Sequence, residues 1–390
     1  MIRGAVLHDG TGSPPVADAV FVAVDGMVTY AGPAVDAPDV AGSTVIDAEG
    51  RHLIPGLIDC HVHLGLDGGP DFMVEADCEE RDAVERSTRN AARHLAAGVT
   101  TVRDLGGIGM SSIRVARAQA AGEISGPRII TAGQVLTRTG GHAHVIGRQV
   151  DTTEQLISAI KDLHRRGATC IKIIATGGVL TPGVNAQLCA FDAETLEPAV
   201  AFAHSLGLAV AAHATGAEGI ETSLRAGVDS IEHGSFLSDE AIALLAVGTT
   251  ALVPTLSAPI KINSGGTAIP PETLAKSNEV GAAHTKSFAR AVEAGAWIAA
   301  GTDAGTPFNY HGAFADELAF MHDYGLPLDR VLVAATRDAA RLLRLEDCGT
   351  LAIGKRADAV LLDGDPLAEV SAYGRVRAVV QAGIQTKTGP

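Results

Sequence analysis

From about residue 53 to residue 303 the chain repeats one pattern of apolar and polar positions: a helical stretch ends near a glycine, a short apolar run follows, then a polar or glycine-rich loop. The first apolar run spans 53–63, and others follow at 99–104, 128–132, 170–174, 209–213, 230–233, 250–254 and 297–303. Short apolar runs alternating with helices predict an α/β fold, a (β/α)8 TIM barrel, whose chemistry gathers at the C-terminal ends of the strands.

The two ends of the chain read differently. The run AVFVAV at 19–24, the pair Asp25-Gly26 and the run MVTY at 27–30 predict a hairpin with a two-residue turn. Strand-like runs return at 357–362 and 376–380, so a small β-sandwich domain built from both termini is expected. That divides the chain into residues 1–54 plus 347–390 for the sandwich and 55–346 for the barrel. The segment 257–276, with Gly265-Gly266 and Pro270-Pro271, reads as a long turn-rich connection, suited to a lid or to a plain surface excursion.

Composition narrows the function classes. Hydrophobic residues make up 46% of 390 positions and charged ones 19%, which supports a large core and excludes disorder. A formal charge of −15 argues against nucleic acid or an anionic membrane as the main partner, which leaves a small-molecule substrate and is compatible with a homo-oligomer. Five scattered cysteines without a CxxC pair indicate a reduced, cytoplasmic protein. The opening MIRGAV lacks the apolar stretch of a signal peptide, and no run reaches the roughly 18 apolar residues of a membrane span.

The candidate chemistry lies at strand ends. His61 and His63 are two apart, so a strand projects them to one side while Cys60 and Val62 face the other. Two imidazoles so placed can share a metal ion if further ligands complete its shell. His213 and His233 end the fifth and sixth runs and Asp303 ends the eighth; a barrel mouth would collect all five. His94, His164, His204, His284 and His322 fall in helical stretches and read as solvated or locally satisfied, while His8, His52 and His311 lie outside the strand-end pattern. Lys172, among Ile171, Ile173 and Ile174, should face the barrel interior with the isoleucines turned to the helices. A buried ammonium is costly, so this lysine is either paired with an acid or neutral, and a neutral amine can take up CO2 as a carbamate whose two oxygens bridge two metals.

Together His61-Val62-His63, Lys172 in IKIIATGG, His213 in AAHATG, His233 in IEHGS and Asp303 in GTDAG resemble the amidohydrolase superfamily, in its binuclear branch with a carboxylated lysine. The resemblance covers nearly the whole chain, including GTLAIGKRAD at 349–358. It implies two divalent metal ions, with zinc suited to the ligands: His61, His63 and Asp303 on the more buried one, His213 and His233 on the more exposed one, and carbamylated Lys172 and a hydroxide bridging them. Asp303 would then move the proton from the hydroxide to the leaving nitrogen. Four metal charges against carbamate, aspartate and hydroxide leave a core of about +1, which suits an anionic substrate.

Within the superfamily, TTVRDLGG, the segment TGGHAH at 139–144 and IKIIATGG are most similar to metal-dependent Xaa-Pro dipeptidases and to hydrolases of N-acyl amino acids, the ochratoxin type included. Imidazolonepropionase-like proteins are also similar, but their mononuclear type lacks the bridging lysine; a cyclic-amide hydrolase or heterocycle deaminase is the second reading. His142 is expected to line the substrate pocket and bond the substrate carbonyl or carboxylate, while Arg138, or else Arg103, reads either as the carboxylate's partner or as a solvated or structural salt-bridge residue. Asp104 is expected to orient its neighbours rather than bind metal, and His144 completes a second HxH with no third metal site expected.

Overall fold

The computed structural model describes residues 1–39 and 42–388. Strands β1 (Leu57–Val62), β2 (Val99–Asp104) and β3 (Arg128–Thr131) pair in parallel, and so do β4 (Cys170–Ile174), β5 (Ala209–Ala214), β6 (Ser230–His233) and β7 (Ala251–Val253). Two seams close these sheets into a barrel. At one, Thr169 N donates to Thr131 O at 2.8 Å. At the other, the segment after Trp297 lies between β7 and β1: Leu252 N donates to Trp297 O at 2.8 Å, Cys60 N to Ala300 O at 2.9 Å and Asp303 N to His61 O at 2.7 Å.

Two expectations about the strands need correction. The eighth run was expected as a strand over 297–303, yet it makes only isolated bridges, Leu252 with Ile298 and Val62 with Ala304. Its backbone must leave the extended region to turn Asp303 into the mouth, and Asp303 has φ +60°. The run 53–63 is two strands: His52–Pro55 belongs to the terminal sheet, and only Leu57–Val62 to the barrel. Gly56 between them packs against β2 so closely that a Cβ there would lie 2.1 Å from Thr100 Oγ1.

The helices cover the barrel for ordinary reasons. In Thr153–Arg166 the buried side chains Leu156, Ala159, Ile160 and Leu163 recur at three- and four-residue spacing and share a core with Ile171 and Ile173 of β4. The Thr152 side chain caps its start by accepting from Gln155 N, and Gly167 at φ 104° ends it. Each large apolar side chain so buried contributes about 1.5–3 kcal/mol.

Both termini enter one eight-stranded sheet. His52–Pro55 pairs with Ile2–Leu7 on one side and with Ala359–Leu362 on the other. The expected hairpin is there, with Val24 opposite Met27. Phe21, Leu53, Leu361 and Val380 share a core drawn from this sheet and the turns beside it. The segment expected as a turn-rich connection is largely helical, forming Ser257–Ser264 and the start of Pro271–Glu293. Its three prolines do not prevent this, because Pro259 falls in the first turn of one helix and Pro271 at the start of the next, where no backbone donor is needed. Among the described residues no helix is long and apolar enough to cross a membrane.

Candidate metal centre and substrate cavity

The C-terminal ends of the strands meet at one cavity, lined by His61, His63, Lys172, His213, His233 and Asp303. Asp303 Oδ1 lies 3.3 Å from both His61 Nε2 and His63 Nε2. His61, His233 and Asp303 each offer a donor atom within 4.8 Å of the other two. The His213 ring stands 4.7 Å from that of His233, which is 5.3 Å from that of His61. His233 and Asp303 both adopt left-handed backbone, φ +70° and +60°. Such strain, about 1–3 kcal/mol per residue, collects where surrounding structure imposes a geometry.

The ring nitrogens show what this cluster is built to hold. His63 Nδ1 is 2.7 Å from Gly106 O, a pure acceptor, so that nitrogen carries the proton and Nε2 keeps its lone pair. His213 does the reverse, with Nε2 2.8 Å from Gly177 O and Nδ1 left over. His233 Nδ1 is 2.6 Å from Thr255 Oγ1, whose own proton goes to Pro254 O, so Nε2 is free. His61 Nδ1 lies 2.8 Å from Glu232 Oε2, and Nε2 again faces Asp303. His63, His213 and His233 are thus each held by one ring nitrogen and His61 is ion-paired through Nδ1 to Glu232, which leaves the second nitrogen of each available as a ligand, as in metal-ligating histidines.

Lys172 is 2% exposed and its Nζ has no hydrogen-bond partner. Burial draws its pKa down to about 8, against the opposing pull of Glu232 and Asp303. Burial also disfavours the charged form of Asp303, yet His61 and His63 hold its carboxyl below the ordinary carboxylate range. Ile171 and Ile173 face the helices as expected, but Ile174 lines the cavity instead, because it stands two residues on from Lys172 and shares that side chain's face of β4.

Several residues that build the site carried no strand-end signal. Glu232 is fully buried and joins His61 to Arg103, whose Nη2 lies 2.8 Å from Glu232 Oε1. Asp59 accepts from His61 N and Thr302 N at 3.1 and 3.0 Å, which ties β1 to the segment carrying Asp303. Alternation would have turned Asp59 inward with His61, two residues on. Asp104 accepts from Leu64 N and Gly106 N, and so positions the carbonyl that holds His63. His284, expected to be satisfied locally on its helix, is instead 1% exposed and lines the cavity.

Of the expected substrate contacts, His142 lines the cavity, its Nδ1 3.1 Å from Thr181 Oγ1. Arg138 does not. Its side chain is half exposed, donates to Ala190 O and lies 5.9 Å from the Phe191 ring, so the loop after β3 carries it outward. Arg103 is also excluded as a substrate contact, being committed inside the barrel to Cys60 O, Ser230 Oγ and Glu232. His144 lies outside the cavity lining and bonds Gly141 O. Replacing Arg103 with Met should strand the Glu232 carboxylate and cost about 3–5 kcal/mol, measured as a fall in denaturation midpoint. An unchanged midpoint would show that the pair is dispensable to the barrel.

A TIM barrel with this constellation at its mouth defines a hydrolase that acts on amide bonds. The chain belongs to the amidohydrolase family, whose model matches residues 52–385. It is 29% identical to ochratoxinase from Aspergillus niger over 97% of this chain and 84% of that protein. It is also 29% identical to imidazolonepropionase from Methylobacterium nodulans, over 91% of this chain and 90% of that protein. Among solved structures, a Xaa-Pro dipeptidase with methionine bound in its active site matches with a TM-score of 0.93 and 31% identity, covering 99% of both chains.

Proposed function

We propose that the protein is a binuclear metal-dependent hydrolase of an amide bond in a dipeptide, Xaa-Pro-like, or in an N-acyl amino acid. The observation that carries this reading is the set of four imidazoles, each tied by one nitrogen and open at the other, around Asp303 and an unpartnered lysine amine. Similarity to ochratoxinase and to a Xaa-Pro dipeptidase supports the choice of amide. The donor set suits two divalent cations, zinc in particular, with His61, His63 and Asp303 on one, His213 and His233 on the other and Lys172 between them. When bound, such ions supply an acidified water and an electrophile for the substrate carbonyl.

The chain's own groups do the rest. The neutral Lys172 amine adds to CO2, forming an N–C bond and releasing one proton, so a buried amine without a partner becomes a two-oxygen anion. Asp303 accepts a proton from the attacking water and returns it to the leaving nitrogen as the C–N bond breaks. His142, held at Nδ1 by Thr181, offers Nε2 to the substrate carbonyl or carboxylate.

The test is a screen of protein reconstituted with zinc, cobalt or manganese against dipeptides and N-acyl amino acids, read as release of free amino acid. Opening of cyclic amides, or ammonia from purines and pyrimidines, with no amino acid released, would replace this reading with the imidazolonepropionase-like one.

A further inference from the structure

We propose that the cavity selects amides whose side chains on both sides of the scissile bond are uncharged and apolar, an inference that rests on the amide-hydrolase reading. The walls above the centre come from separate loops: Phe72 after β1, Val135 and Ile146 after β3, Leu180 after β4, and Ile262 and Val280 from the helical insertion after β7. All but Val280 share a buried apolar cluster separate from the barrel core, so the mouth has a hydrophobic chamber of its own. The polar groups that line it beyond the centre include the hydroxyls of Thr215 and Ser235, which carry no charge.

Formal charge is confined to the floor. Among the described residues lining the cavity, Lys172 and Asp303 are the ones of ordinarily charged type other than histidine, and both belong to the centre. The cations close by are committed elsewhere: Lys276 Nζ to Thr181 O at 2.7 Å and to Glu272 at 3.1 Å, and Lys261 to Asp316. A lysine, arginine, aspartate or glutamate side chain of a substrate would lose its water here and find no counter-charge. A leucine, phenylalanine or aromatic acyl group would exchange water for the Phe72, Ile146 and Leu180 surfaces.

The experiment compares matched N-acyl derivatives of leucine, phenylalanine, lysine and glutamate with zinc-loaded protein. Alongside, calorimetry measures binding of the free amino acids to loaded and metal-depleted protein. The apolar derivatives should exceed the charged ones by about 100-fold in kcat/KM, and leucine should bind where lysine does not. Leu180→Glu, at the cavity rim, should raise the lysine-to-leucine ratio at least about tenfold; Val280→Glu repeats this test should the first variant fold poorly. Equal turnover of charged and apolar derivatives would overturn the inference and leave the amidase reading standing. No turnover of any amide, with leucine still bound in preference to lysine, would remove the amidase reading and support the apolar chamber.

Discussion

Replacing Lys172 with Ala should lower turnover about a thousandfold or more, with bound metal falling from about two equivalents per chain towards one. The Nζ at stake is buried and without a partner beside Asp303 and four imidazoles. As a carbamate it would supply two oxygens and a negative charge that no neighbour replaces, because Glu232 is already shared between Arg103 and His61. Added acetate should recover part of the activity, since a small carboxylate fits the space the side chain leaves. Lys172→Met, which keeps the volume, should stay folded and inactive without that rescue. Labelled CO2 supplied during reconstitution should appear on Lys172 of the parent protein by carbon NMR. Full activity with unchanged metal content in Lys172→Ala would end the carbamate proposal.

The second large effect is expected at Asp303. Asn keeps an oxygen ligand at that position but cannot hold the transferred proton, so Asp303→Asn should retain some metal while kcat falls about a thousandfold. KM should change far less, because the apolar walls are untouched. The expected loss is specific to the carboxylate: Asp303 is held in the cavity by its own backbone bond to His61 O and by the Asp59–Thr302 contacts, which the substitution leaves alone. A loss of only a few-fold, at equal metal occupancy, would assign the proton transfer to another group.

Much of the centre could be read along the chain because its rules are local. Two-residue alternation places His61 and His63 together, and strand ends in a barrel share one face, which gathers His213, His233 and Asp303. The supporting residues had no such rule. Thr255 and Gly177 reach their histidines from neighbouring strand ends, and His284 enters from a helical stretch where it read as solvated or locally satisfied. Arg138 lies outside the cavity lining for the same reason. A glycine-rich loop has no period from which to infer direction, and packing near Phe191 turns this arginine outward. The eighth run carried the apolar composition of a strand, but the need to bend Asp303 into the mouth outweighed that propensity.

By itself, then, the sequence determined the barrel, a sheet fed by both termini and the gathering of six strand-end groups at one cavity, because strand alternation and helix periodicity act over a few residues. Only the tertiary structure decided which nitrogen each histidine presents and how apolar the chamber above them is. Those features depend on carbonyls, hydroxyls and side chains from loops that follow different strands, brought together only when the barrel closes.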